Sequence, residues 1–104
     1  MNIKMLESRM EDIPIGAENA ISRRELARKW NIDDRGAREI IARLREHDDG
    51  SRYVIISSSH GCGGYYRTDN PVLICRYYEE TMHRARSTFK PLKKVRRILR
   101  EVEM

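Results

Sequence analysis

The chain has 104 residues, of which 36% are Asp, Glu, Lys or Arg and 39% are apolar, and its formal net charge is +5. This length fits one small domain plus an appendage, and a domain so small buries only a modest share of its surface, so helices packed on a small sheet or on a symmetry partner are expected. No uncharged apolar run approaches the roughly 20 residues of a membrane span, and two cysteines make no disulfide framework, which points to a reducing cytoplasm.

Lys and Arg outnumber acids in residues 21–46, eight to five, and in residues 70–104, nine to four. Positive charge gathered in the most helical stretches favours a polyanionic partner. At the N-terminus, MNIKMLESRMEDIPIG mixes charges into its apolar residues and lacks the apolar core and cleavage site of a secretory leader. Ile3, Leu6, Met10 and Ile13 recur at roughly helical spacing, so a short helix is expected over residues 3–11, stopping before Ile13-Pro14. Asn19-Ala20-Ile21 suits a brief extended segment.

Ser22-Arg23-Arg24-Glu25 has the composition of a capping box, and Ile21 with Leu26 occupies the positions of a hydrophobic staple. The helix that follows has Leu26, Ala27 and Trp30 as its apolar face. In the break Asn31-Ile32-Asp33, Ile32 is expected to tuck under the helices and Asp33 to cap the next one. Ala37, Ile40, Ile41 and Leu44 fall at i, i+3, i+4 and i+7, giving one buried stripe from Asp34 to about His47. The opposite face carries Asp34, Arg35, Arg38, Glu39, Ala42, Arg43, Arg45 and Glu46.

Asp48-Asp49-Gly50-Ser51 is turn chemistry, and Tyr53-Val54-Ile55-Ile56 has strand composition. SSSHGCGG at 57–64 then leads to Tyr65-Tyr66-Arg67, predicting a hairpin with a long, flexible tip. Asn70-Pro71 suits a helix start. From there Ile74, Tyr78, Met82, Ala85, Phe89, Leu92, Val95, Leu99 and Val102 alternate between spacings of three and four, which specifies a seam. Pro91 interrupts this stripe, predicting a kinked helix or a closely coupled pair.

The expected fold class is mostly α with a small β-hairpin (α+β). The stretch SRRELARKWNIDDRGAREIIARLR resembles the helix-turn-helix of the bacterial winged-helix superfamily, and IISSSHGCGGYYRTD resembles the glycine-then-tyrosine wing of the biotin-repressor type. With ENAISRREL and the long C-terminal helix, the whole chain is similar to small uncharacterised winged-helix proteins of bacteriophages and prophages. The resemblance implies a winged helix-turn-helix domain over residues 1–69, a C-terminal helical extension over 70–104 that supplies a dimer seam, and a role in binding double-stranded DNA.

On that reading Arg35 and Arg38 are the candidates for base contact, because a guanidinium donates two hydrogen bonds to guanine O6 and N7. Gly36 would let the duplex approach, and Asp34 would accept from a cytosine amino group or favour the helix dipole. Arg23, Arg24 and Arg43 suit phosphates, as do His60 and Arg67 on the wing. Arg43 and Arg45 fit a solvated surface equally well. The cluster Lys90, Lys93, Lys94, Arg96, Arg97 and Arg100 suits either nonspecific backbone contact or solubility. Asp33 and Asp34 run against this scheme, since they put two carboxylates where a polyanion should arrive.

His60, Cys62, Cys75 and His83 lack the close ligand pairs of a structural zinc site, so Cys75 is expected to be a small buried thiol and Cys62 an exposed one. Trp30 and the paired tyrosines 65/66 and 77/78 are expected to complete core rather than stack on single strands. No phosphate-binding loop, metalloprotease helix or serine-centred elbow occurs, so no enzyme, cofactor or metal is expected. The sequence therefore reads as a cytoplasmic, dimeric, sequence-specific DNA-binding protein of phage or prophage type, in transcriptional control or phage DNA replication. The rival is a protein–protein adaptor on the same fold, without direct DNA contact.

Overall fold

The structure is a computed structural model that describes residues 2–58 and 63–103. The first helix, α1 (Ile3–Glu11), starts where Asn2 Oδ1 accepts from the Met5 amide at 2.9 Å. It ends ahead of Ile13-Pro14, because proline disfavours helical backbone in the residue before it. Met10 and Ile13 are buried, and a single 3-10 turn, Ala17–Asn19, leads on to Ile21.

Helix α2 (Arg23–Lys29) begins as the sequence predicts, with Ser22 Oγ accepting from the Glu25 amide at 3.1 Å. Its end is equally local. Asn31 adopts a left-handed φ of 54°, the Asn31 amide donates to the Arg28 carbonyl and the Ile32 amide to the Ala27 carbonyl. These two bonds form a Schellman motif, which satisfies the last carbonyls of the helix and folds Ile32 back onto it. Ile32 packs against the core, and the following residue, Asp33, caps α3 (Asp34–Glu46) by accepting from the Gly36 amide at 2.8 Å. With α2 closed and α3 opened inside four residues, the turn between the helices is fixed by these backbone and capping hydrogen bonds. Ala37, Ile40, Ile41 and Leu44 are all buried, meeting Leu26, Ala27 and Trp30 from α2.

Asp48 and Asp49 accept from the Gly50 and Ser51 amides, and Gly50 takes a φ of 82°. Strands β1 (Val54–Ser58) and β2 (Gly64–Thr68) then pair antiparallel with Ile55 opposite Arg67 and Ile56 opposite Tyr66. The ladder extends to Ser57–Tyr65 and Ser58–Gly64, so part of the loop expected at 57–64 is strand. The tip residues 59–62, including His60 and Cys62, lie outside the described residues. The outer edge of β2 is covered by the segment between α1 and α2. Ile21 and Tyr65 exchange both backbone hydrogen bonds, at 3.0 and 2.8 Å, while the Arg67 amide donates to the Pro14 carbonyl and the Gly16 amide to the Arg67 carbonyl. Covering an edge in this way removes a template for unwanted strand pairing.

The chain divides into two compact units, residues 1–70 and 71–104. The second holds α4 (Pro71–Phe89) and α5 (Leu92–Glu103), parted by a turn at Lys90-Pro91. Pro91 thus starts a new helix instead of kinking a continuous one: it has no amide to donate, and its ring disfavours helical backbone at Lys90. Cys75, expected to be buried, is exposed and donates weakly to Glu79 Oε1 one turn along, at 3.7 Å. No residue of α4 is buried, so the thiol has no core to enter. Among the described residues the protein is mostly helical with one two-stranded antiparallel hairpin, and no helix is long and apolar enough to cross a membrane.

Candidate functional site

The outward face of α3 presents Asp34, Arg35, Arg38, Glu39, Arg43 and Arg45 to solvent, because the inward positions of its 3.6-residue repeat are taken by the buried stripe. Asp34 organises the start of that face. Its Oδ1 lies 2.6 Å from Arg23 Nε on α2, and its Oδ2 lies 3.2 Å from Arg38 Nε one turn farther along α3. One carboxylate therefore bridges two guanidinium groups from two helices. The hydrogen bond from Arg23 holds the Asp34 carboxyl below the usual aspartate range, with the charges of Arg23 and Arg38 adding to it. Reciprocally, Asp34 and then the Tyr65 hydroxyl stabilise the charged form of Arg23.

This arrangement changes the meaning of the two acidic residues. Asp33 is occupied as a helix cap, and Asp34 is held by cations on both sides. On the outward surfaces of α2 and α3, Arg23, Arg24, Arg35, Arg38 and Arg43 are interspersed with the carboxylates of Glu25, Asp34, Glu39 and Glu46. Arg35 pairs with Glu39 at 3.5 Å, yet its side chain stays 88% exposed, and that of Arg38 stays 62% exposed. Exposed ion pairs contribute only about 0.2–1 kcal/mol. Both guanidinium groups are therefore only weakly held by their internal partners.

Gly36 is also required by the turn itself. A Cβ there would lie 3.0 Å from Asp33 Oδ1 and 3.3 Å from Ile32 Cδ1, inside the turn and not out toward an approaching ligand. Glycine at this position leaves room for the cap and for the Ile32 side chain. Arg24 and Arg43 are exposed at the margins of the face.

The hairpin arginine is committed within the fold. Arg67 Nε donates to the Ile13 carbonyl at 2.7 Å in a part-buried setting, and its guanidinium lies over the Tyr53 ring, 5.9 Å from the centroid. That ties β2 to the segment after α1 and accounts for Arg67 without any ligand. His60, its expected companion on the wing, lies outside the described residues.

Arg45, like Arg43, is left by its sequence position between phosphate contact and a solvated surface. Its Nη2 donates to Ser57 Oγ at 2.9 Å, and its guanidinium sits over the Tyr65 ring, so it fastens the end of α3 to the hairpin. The available signal was its position beside Leu44 at the edge of the buried stripe. Trp30 is core, as expected, with its Nε1 donating to Asp12 Oδ2 at 2.7 Å. Among the described residues no three His, Cys, Asp or Glu side chains gather as a metal site.

No protein family, curated protein or solved structure gives a significant match to this chain. The geometry of α2, α3 and the hairpin carries the functional reading.

Proposed function

We propose that the protein is a sequence-specific double-stranded DNA-binding protein of the winged helix-turn-helix type, acting as a regulator or replication-associated binder of the phage or prophage kind. The order of elements supports this reading: a helix, a short β contact at Ile21, two helices joined by a four-residue turn, and a hairpin. In that scheme α3 enters the major groove, α2 crosses the backbone and the β1–β2 hairpin is the wing. The observation that carries the proposal is the exposure of Arg35 and Arg38 in the first turns of α3, beside Arg23 and Arg24 at the start of α2. Arg35 and Arg38 read base edges. Arg23, Arg24 and Arg43 contact phosphates, with Arg23 and Arg38 exchanging Asp34 for DNA.

Two copies joined along the apolar stripe of α4 and α5 would address half-sites about 34 Å apart, or a multiple of that, on an approximately palindromic duplex. Selection of bound duplexes from a random pool tests the reading, since a reader of this kind enriches a defined, symmetric site.

A second reading, a protein–protein adaptor, draws on one observation: residues 1–70 carry twelve basic and twelve acidic side chains. A gel shift at low and moderate salt separates the two. An adaptor retains no complex with any duplex, while the DNA reader retains one that weakens steeply as salt rises.

A further inference from the structure

All of the net positive charge of this protein resides in residues 71–104, which hold nine Lys and Arg against four Asp and Glu. The unit that bears the proposed base-reading arginines is balanced. Six of its twelve cations are tied to named partners: Arg23 and Arg38 to Asp34, Arg35 to Glu39, Lys29 to Asp12, Arg45 to Ser57 and Arg67 to a backbone carbonyl. Helix α5 differs. Of its cations only Arg97 has a recorded ion pair among the described residues, with Glu101 at 2.9 Å, while Lys93, Lys94, Arg96 and Arg100 have none.

The two faces of α5 are sharply divided. At about 100° per residue, Leu92, Val95, Ile98, Leu99 and Val102 occupy roughly a third of the helix circumference. Lys93, Arg97 and Arg100 centre on the opposite side, with Arg96 and Lys94 toward the borders. Glu101 is the one acid on that side and is paired with Arg97, so the face is chiefly of one sign, a clustering that costs self-repulsion. A helix lying on an anionic bilayer shows the same division, with its apolar face down and Lys and Arg on the polar face. Here the apolar face is the one assigned to the seam with a second copy, which leaves the cations opposite it to a separate anionic partner. Lys93, Arg97 and Arg100 also run along one side of the helix over about 10 Å, which matches about three base-pair steps of a duplex.

We propose that the cationic face of α5, with Lys90 beside it, is a second nucleic-acid contact that grips the phosphate backbone without reading sequence. The proposal rests on the DNA-binding reading and divides the work of binding: α3 supplies preference, and α5 supplies most of the salt-dependent affinity. The apolar face remains free for a second copy.

The test uses the full chain. Affinity for a random-sequence duplex and for the selected site is measured by fluorescence anisotropy across a salt series, for wild type and for a Lys93→Gln, Lys94→Gln, Arg97→Gln, Arg100→Gln variant. Each lost phosphate contact flattens the slope of log affinity against log salt by about 0.9, so the variant should lose about two to four from the slope. The ratio of specific to random binding should stay within about twofold of wild type. Glu103→Gln, which adds positive character to the same helix, should tighten random-duplex binding. An unchanged slope in the quadruple variant, with wild type still selecting its site, overturns this inference and leaves the DNA reading intact. No duplex complex with wild type overturns the reading itself. Wild type that sediments with phosphatidylserine vesicles but binds no duplex assigns the face to a bilayer, and also overturns the inference.

Discussion

Arg23 Nε and Asp34 Oδ1 stand 2.6 Å apart, joining the first turn of α2 to the first turn of α3 across a turn only a few residues long. The folded-state pKa of Asp34 is depressed, chiefly by that hydrogen bond. A depressed carboxyl stabilises the fold above its unfolded pKa and loses this contribution as pH falls through the folded one. The loss therefore lies in the acid range, below about pH 4. Carboxyl-carbon NMR should place the Asp34 midpoint below that of an ordinary aspartate. Arg23→Gln should move it upward, and Arg38→Gln should move it upward by less. Midpoints that coincide in all three proteins would show that the bridge does not hold in solution.

The Trp30 indole illustrates a polar group that must be satisfied because it is buried. Its ring is 4% exposed, and its Nε1 donates to Asp12 Oδ2, which also lies near Lys29 Nζ through the other oxygen. Asp12→Ala strands the indole N–H and should lower unfolding free energy by about 1–3 kcal/mol. Asp12→Asn, which keeps an acceptor, should restore part of that. Lys29→Ala removes only the more exposed partner and should cost less than about 1 kcal/mol. Trp30 is the sole tryptophan, so urea unfolding followed by its fluorescence reads all three.

Two glycines with positive φ should respond differently to alanine. At Gly64, φ is +131° and a Cβ would come within 2.8 Å of the Ile21 carbonyl oxygen, in the segment that closes the edge of β2. At Gly50, φ is +82° with open space around it. Gly50→Ala should cost about 1–2 kcal/mol, the penalty for an L side chain in left-handed backbone. Gly64→Ala carries a steric clash in addition, and should remove hydrogen-exchange protection from the Ile21 and Tyr65 amides. Protection that survives there would mean the Ile21 contact is not what requires glycine.

The features legible in the sequence are those fixed within one or two turns of chain. The Ser22 cap, the Asp33 cap and the stripe Ala37, Ile40, Ile41 and Leu44 follow from spacing, because their partners are three or four residues away. The roles of the charged residues were harder to read. Asp34 looks repulsive to a polyanion until Arg23, eleven residues earlier, is brought beside it. Arg67 looks free until the fold places the Ile13 carbonyl, 54 residues away, against its Nε. Guanidinium groups look alike in a sequence. Which of them face solvent and which tie elements together is decided by tertiary packing, to which periodicity is blind.

That distinction gives a crossed prediction for two arginines. Arg67→Gln removes a charged donor from a part-buried carbonyl and should lower stability by about 1.5–3 kcal/mol. It should leave duplex preference, and the salt slope of the folded protein, unchanged. Arg35→Ala alters a side chain that is 88% exposed, so stability should change by no more than about 0.5 kcal/mol. Discrimination between the selected site and its single-base variants at the contacted position should then fall by about 1–3 kcal/mol. Thermal unfolding and competition binding on the same protein samples measure both axes. The reverse outcome, Arg67→Gln weakening DNA binding at full stability, would mean that its contact to Ile13 gives way to a phosphate, and that the hairpin grips DNA through this residue.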